Sequence, residues 1–238
     1  MESGRPTSRA LLGRVLRRTA AVLRSDYRHL FALAVVVFVP VGILEAVLDV
    51  LAEQDLGVAL IASVVSVAVI ALIGDVFYSG AVAGLIARRP GEQRSLRRVT
   101  RELRYGRLIA ADILVTSVVA LGLLLLIVPG IVLFALFAFV APAIEIEDRT
   151  VRGAFRRSRE LVRGRFWLVL VAIGGAEIAS ELGISGLASL AHLALGEHLV
   201  VDWLSSTLGD VLTTPPYAAF VVLMAVELMR ARGEALEG

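Results

Sequence analysis

Long apolar stretches alternate with short arginine-rich stretches along this chain. The apolar stretches contain no arginine, and each is long enough to cross a bilayer once or twice, because one crossing needs about 20 apolar residues. The pattern predicts an all-α fold, a polytopic membrane helical bundle. Its six transmembrane helices are predicted at residues 30–51, 57–86, 108–128, 131–146, 166–188 and 208–229.

The composition agrees with a membrane location. Hydrophobic residues make up 58% of the chain and the mean hydropathy is +0.82, whereas soluble domains are about 45–50% apolar. The chain has no cysteine, which excludes disulfides, thiolate catalysis and cysteine-based metal sites.

The arginines predict the topology. All 24 basic residues are arginine, and apart from Arg230 and Arg232 they lie in residues 1–28, 88–107 and 149–165. Six spans place these segments and both termini on one side, and the opposite loops contain acids but no arginine. The positive-inside rule then predicts a bacterial cytoplasmic (inner) membrane protein with cytoplasmic termini. Because topology accounts for every arginine, nucleic acid is not expected as a partner.

The basic segments also have helical periodicity. In 149–165 the apolar or small positions follow the steps of one helix face, and the N-terminal segment and 92–107 repeat the pattern. The sequence therefore predicts a threefold repeat of a basic amphipathic helix followed by two spans. The predicted units are helices 1–29, 88–107 and 147–165, span pairs 30–87, 108–146 and 166–229, and a tail at 230–238.

Two interpretations of these amphipathic helices are open, and they are compatible. The helices lie in the membrane interface with arginines on anionic headgroups, or they pack on the cytoplasmic ends of the spans. Membrane lipids, and other membrane proteins, are the expected partners. The arginines expected at headgroups are Arg17, Arg18, Arg97, Arg98, Arg152, Arg156, Arg157 and Arg163.

The longest apolar run predicts a hairpin. It extends from Ile109 to Ile144, 36 residues with Asp112 as the only charge. A straight helix of that length would measure about 54 Å against a hydrocarbon core of about 30 Å. Arginines flank both ends, so we expect a tight outer turn at Pro129–Gly130 and a bend at Pro142 in the returning helix.

Residues 123–170 resemble the membrane domain found with bacterial glycerophosphoryl diester phosphodiesterases and in uncharacterised relatives. The similar features are Val128-Pro129-Gly130, Ala141-Pro142 with Glu147, the Ala154–Ser158 segment, and Leu161/Gly164/Trp167. The last span is also similar, although Glu227-Leu228-Met229-Arg230 departs from the family's pattern. The resemblance implies a six-helix membrane fold and little about activity, and the catalytic phosphodiesterase domain is absent.

Candidate chemistry is confined to acids inside the spans. No catalytic motif is present, the three histidines are scattered, and neither a cofactor nor a metal is expected. Intramembrane acids are costly and often functional. Glu177, Glu181 and Asp75 are therefore candidates for a ligand site or an ion pathway. The alternative is structural: protonated acids that hydrogen-bond neighbouring helices, or a tilted fifth helix with Glu181 in water.

Two outer features carry expectations of their own. Residues 184–206 are expected to form an interfacial helix, and Pro215–Pro216 to break or kink the last span. The lack of a catalytic motif favours a non-enzymatic membrane accessory or scaffold protein, and the basic amphipathic helices and the family resemblance favour a role in lipid or envelope homeostasis. The alternative is a transporter or ion-coupled permease that uses the acids of the fifth span.

Overall fold

The computed structural model describes residues 7–52, 57, 59, 76–86, 103–196 and 198–232. Within these residues the chain is helical and contains no strand. The helices are α1 (Ser8–Ala52), α2 (Val76–Ile86), α3 (Tyr105–Leu125), α4 (Ile127–Phe137), α5 (Val140–Glu147), α6 (Val151–Val162), α7 (Phe166–Leu195) and α8 (Leu199–Arg230).

Four stretches are long and apolar enough to cross a membrane: Ser8–Leu48, Ile127–Glu147, Phe166–Leu195 and Val200–Arg230. Their length and composition indicate a membrane protein. The predicted second cytoplasmic helix lies almost entirely outside the described residues, as does the first part of the second span.

The first predicted amphipathic helix and the first span are two helical segments that meet at a kink within α1. The kink lies at Asp26, three residues before the predicted boundary at residues 29 and 30, and the φ of −116° and ψ of 15° of Asp26 are not helical. Ser25 stabilises the bend by donating its hydroxyl to the Val22 carbonyl and to the Asp26 carboxylate. The basic segment therefore continues directly into the membrane helix.

The apolar hairpin is present, but its turn is not at Pro129–Gly130. The chain reverses at Leu126, which is extended (φ −160°, ψ 136°), and both predicted turn residues lie in the first turn of α4. The Pro129 ring would clash with the Leu125 carbonyl four residues earlier, so the helix must end before it. A Cβ on Gly122 would lie 3.0 Å from the Gly130 Cα, whereas a straight helix would separate these residues by about 12 Å. The lack of side chains at Gly122 and Gly130 thus allows α3 and α4 to pack closely.

The returning helix is broken rather than bent, and the break precedes Pro142. α4 ends at Phe137 and α5 begins at Val140. The Pro142 ring would clash with the Ala138 carbonyl four residues earlier, just as the Pro129 ring would clash with the Leu125 carbonyl. The Ser158 hydroxyl of α6 enters the break: it accepts from the Phe139 N–H at 3.1 Å and donates to the Leu136 carbonyl at 2.7 Å. One side chain therefore satisfies two backbone groups that the break releases.

The first and third predicted basic amphipathic helices, which the structure describes, pack against protein. Thr150 caps α6 by accepting from the Gly153 N–H, and the apolar face of α6, including Ala154, Leu161 and Val162, is buried. On α1, Leu11 and Val15 are fully buried in a cluster with residues of α6, α7 and α8. This packing favours the interpretation that these helices cover the ends of the spans.

The last helix is the centre of the bundle. Residues 218–229 of α8 are all buried, as expected for a helix that is apolar on every side. Pro215 and Pro216 lie inside α8, which continues through them, so they do not break the last helix. Residues 184–206 form no separate helix; they are the ends of α7 and α8, joined at Gly196, whose φ of 84° suits glycine.

We predict that Ser158→Ala destabilises the protein by about 1–3 kcal/mol, because the Phe139 N–H and the Leu136 carbonyl lose their partner. Thermal unfolding of the purified protein in detergent, followed by circular dichroism, measures the change. Ser189→Ala is the matched control: its hydroxyl is exposed and donates to the Ser185 carbonyl one turn earlier. We expect Ser189→Ala to change the free energy of unfolding by less than about 0.5 kcal/mol. Equal destabilisation by Ser158→Ala and Ser189→Ala would contradict this role of Ser158.

Candidate functional site

The described arginine segments meet at one end of the bundle. We call this end the basic face; it consists of the first half of α1, the start of α3, the ends of α5 and α8, and α6. Acids at the ends of α5 and α8 hold it together. None of these acids was predicted as a site residue; Glu147 and Glu227 entered the sequence analysis only through the family resemblance.

Glu147 binds α6 to the end of α5. Its carboxylate accepts two bonds from Arg157 Nε at 2.9 Å and lies 2.8 Å from Arg157 Nη2. Arg149 Nε adds a contact at 3.0 Å. The side chains of Glu147 and Arg157 are only 15% and 10% exposed, so this forked pair is largely shielded from water.

Asp148 and Glu145 connect α5 to the start of α3. Asp148 closes α5 in the left-handed conformation, with φ 53°, and its carboxylate contacts Arg104 Nε at 2.9 Å and Arg107 Nη1 at 2.7 Å. Glu145 accepts from the Arg104 N–H at 3.2 Å. The Arg104 guanidinium also donates to the carbonyls of Ile144 and Glu145, which would otherwise be exposed at the helix end.

Glu227 anchors α1 to α8. Its side chain is 6% exposed and accepts from Arg14 Nε at 3.0 Å and Arg18 Nη1 at 2.6 Å. Arg230 of the same helix lies 3.6 Å away. Arg232 then donates to the Glu160 carbonyl at the end of α6. The ends of α1, α6 and α8 are thereby joined.

The structure divides the arginines predicted for lipid headgroups into two groups. Arg157 and Arg18 are engaged by Glu147 and Glu227, so Arg157 is buried in an internal ion pair and does not face a headgroup. Arg97 and Arg98 lie outside the described residues. The exposed members are Arg17, Arg152, Arg156 and Arg163.

A second feature is a partly open cavity of about 230 Å³ lined by several helices. Two carboxyl groups on different helices line it, Asp112 of α3 and Glu177 of α7. Three hydroxyl side chains add to them, those of Ser79, Thr214 and Tyr217.

The predicted acids do not all meet at this cavity. Glu177 reaches it, while Glu181, one turn further along α7, is exposed. Asp75 lies outside the described residues. The fold places Asp112 at the same cavity as Glu177. Asp112 is 65 positions earlier in the chain, so no local spacing could have brought the two residues together in a prediction.

The broken helix also borders the cavity. Ala138 and Pro142 both line it. Since Pro142 has no N–H, the Ala138 carbonyl cannot accept the usual helical hydrogen bond from four residues ahead. The break therefore leaves one backbone carbonyl without its usual helical hydrogen bond in a segment that borders the cavity.

The histidines form no common site. His192 pairs with Asp202 across the turn between α7 and α8, and His29 lies 3.9 Å from Asp26. In the part of the chain that the structure describes, no three His, Cys, Asp or Glu side chains come together in a way that could hold a metal ion.

Comparison with known proteins yields one family. A family model described as a domain of unknown function (DUF7847) matches residues 54–230, which is most of the chain. This match does not show the expected relation to the phosphodiesterase membrane domain. No curated protein and no solved structure matches the chain.

We predict that Arg157→Met destabilises the protein by about 3 kcal/mol. This cost is near the low end of the range expected for removing one partner of a buried ion pair, because Arg149 still contacts Glu147. Arg152→Met, an exposed position on the same helix, is the matched control and should change stability by less than about 0.5 kcal/mol. Thermal unfolding in detergent compares the two. A cost for Arg152→Met as large as that for Arg157→Met would contradict the assignment of Arg157 to a buried pair.

Proposed function

We propose the following function for this chain, which belongs to the DUF7847 family of unknown function. It is a non-enzymatic accessory or scaffold protein of the bacterial cytoplasmic membrane that acts in lipid or envelope homeostasis. The observation that carries the proposal is the division of the arginines on the basic face. Buried pairs hold the helices, and Arg17, Arg152, Arg156 and Arg163 remain exposed.

Anchoring favours lipid contact by the exposed arginines. Because Glu147 and Glu227 hold α6 and α1 in place, little backbone freedom is lost when a headgroup binds. A guanidinium also matches a phosphate with two parallel hydrogen bonds. Each arginine near an anionic surface contributes about 1 kcal/mol.

The proposed topology has six spans with both termini in the cytoplasm. It is supported by the gathering of the described basic segments at one end of the bundle and by the reversal at Leu126, which returns the chain to that end. The positive-inside rule places such an end in the cytoplasm. The apolar face of α7 is exposed at Val171, Ile178 and Leu182, and we assign it to acyl chains or to another membrane protein.

We predict that the purified protein retains phosphatidylglycerol in preference to phosphatidylcholine when native mass spectrometry is used to count bound lipids. Replacing Arg152, Arg156 and Arg163 together with glutamine should weaken phosphatidylglycerol retention roughly tenfold to hundredfold, at about 1 kcal/mol or less per arginine.

The matched control replaces the same three arginines with lysine, which keeps the charge and removes the guanidinium fork. This variant should retain more lipid than the glutamine variant. Equal retention of both lipids by the unmodified protein would overturn the proposal.

A second candidate is an ion-coupled permease, and the cavity specifically favours it. Broken helices beside intramembrane carboxyl groups are typical of ion and substrate sites in transporters. Here the break between α4 and α5 and the carboxyl groups of Asp112 and Glu177 border one cavity.

We predict for this candidate that protein in liposomes loaded with a pH-sensitive dye alkalinises the interior when an inward sodium gradient is applied. Glu177→Gln should abolish the signal, because the coupling carboxylate is lost. Glu181→Gln, an exposed acid on the same helix, should preserve it. Liposomes that respond as weakly as protein-free ones would remove the permease candidate.

A further inference from the structure

Four arginines form a single row along the outer face of α6. All four are exposed, and they are Arg152, Arg156, Arg159 and Arg163. Their steps of four, three and four residues place them within about 60° of the helix circumference. We call these four residues the arginine row. It lies opposite the face that packs into the protein, where Ala154 and Leu161 are buried.

The protein leaves most of the charge of the arginine row without a counterion. Among the described residues, the only ion pair of the row joins Arg156 Nε to Glu160 Oε1 at 3.9 Å. Glu160 is itself exposed and also lies 3.7 Å from Arg157 Nη1. Like charges three or four residues apart on a helix repel one another, because such side chains are neighbours. A ligand with more than one negative charge would relieve this repulsion along the row.

We infer that the arginine row binds the headgroup of a membrane lipid that carries two linked phosphates, such as cardiolipin. This inference rests on the proposed function and names the ligand class of the same basic face. Arg152 with Arg156, and Arg159 with Arg163, form two pairs whose Cβ atoms are about 5–6 Å apart. A guanidinium matches a phosphate with two parallel hydrogen bonds, so each pair suits one phosphate.

The row is long and fixed enough to hold both phosphates at once. Eleven residues of helix separate Arg152 from Arg163, a length of about 17 Å, so two phosphates on one glycerol bridge fit along it. Ser158 and the buried pair of Arg157 with Glu147 hold α6 in place. After the first phosphate binds, the second is held close to the remaining arginines. Linking two binding groups in this way raises the affinity well above that of either group alone.

The position of the row favours a lipid over a soluble diphosphate. Arg163 comes three residues before Phe166, where α7 begins, so their Cα atoms are at most about 11 Å apart. α7 is long and apolar enough to cross a membrane. Trp167 is 74% exposed, and tryptophan is enriched at the membrane–water interface. One end of the row therefore lies at the level of the headgroups, and the exposed Val171 of α7 offers a surface for acyl chains.

The test is native mass spectrometry of the full chain in detergent with dilysocardiolipin, phosphatidylglycerol and phosphatidylcholine. Dilysocardiolipin carries two phosphates and two acyl chains, whereas phosphatidylglycerol carries one phosphate and the same number of chains. The comparison therefore isolates the second phosphate. We expect dilysocardiolipin to bind about tenfold or more tightly than phosphatidylglycerol, below the roughly hundredfold or more that linked binding groups can reach.

A double variant tests whether the row is the site. Arg152→Gln together with Arg156→Gln removes one of the two pairs. It should weaken dilysocardiolipin binding about tenfold or more, to the level of phosphatidylglycerol, because only one phosphate then finds a partner. Phosphatidylglycerol binding should fall only about twofold, since the pair of Arg159 and Arg163 can still hold one phosphate.

The matched control is Arg9→Gln together with Arg17→Gln, which removes two exposed charges from α1 instead. It should keep the preference for dilysocardiolipin over phosphatidylglycerol. All four substitutions are at exposed positions, and a variant is compared only if it elutes as a single species. The comparison among the three lipids on the unmodified protein needs no variant.

The outcomes separate this inference from the proposed function. Preference for phosphatidylglycerol over phosphatidylcholine, without further preference for dilysocardiolipin, would overturn the inference and leave the proposed function standing. Equal retention of all three lipids would overturn both. Loss of the dilysocardiolipin preference in both double variants would overturn the assignment to the arginine row. Displacement of dilysocardiolipin by an equal concentration of inorganic pyrophosphate would overturn the choice of a lipid as the ligand.

Discussion

The structure depends on how it satisfies the backbone groups released by the break between α4 and α5. Pro142 cannot donate to the Ala138 carbonyl, and the helix is interrupted at residues 138 and 139, between Phe137 and Val140. This break releases the Phe139 N–H and the Leu136 carbonyl, which need other partners in an apolar surrounding. Ser158 satisfies both. Because Ser158 is on α6, its hydrogen bonds hold the basic helix against the end of the span. Arg157 is the preceding residue on α6, so the same contact positions it beside Glu147. Backbone satisfaction and the buried ion pair therefore support one another.

This arrangement gives the arginines two physical roles. Arg14, Arg18 and Arg157 pair with the shielded carboxylates of Glu227 and Glu147, where partial exclusion of water strengthens each pair. Arg104 pairs with Asp148, whose carboxylate is exposed. The arginines of the same helices that point outwards keep their charge available to the surroundings. A basic segment that looks uniform in sequence thus becomes a fixed inner row and an exposed outer row, and only the outer row can meet a membrane surface.

The cavity follows from the same break. A continuous helix over residues 127–147 would have used the Ala138 carbonyl internally and filled its side with regular side chains. In this structure Phe134, Phe137, Ala138 and Pro142 line the cavity together with Asp112 and Glu177. The break between α4 and α5 therefore contacts Ser158 of α6 and also borders the cavity.

The sequence by itself determined the helical class, the apolar stretches, the reversal within residues 109–144 and the grouping of arginines, because each depends on local composition and on bilayer thickness. It misplaced the turn by three residues, at Pro129 instead of Leu126, since proline ends the helix that precedes it. It also could not separate Arg157 from Arg152, or pair Glu177 with Asp112 instead of Glu181. The burial of Arg157 and the shared location of Glu177 and Asp112 depend on which helix faces pack together. Only the tertiary structure brings residues so distant in the chain next to one another.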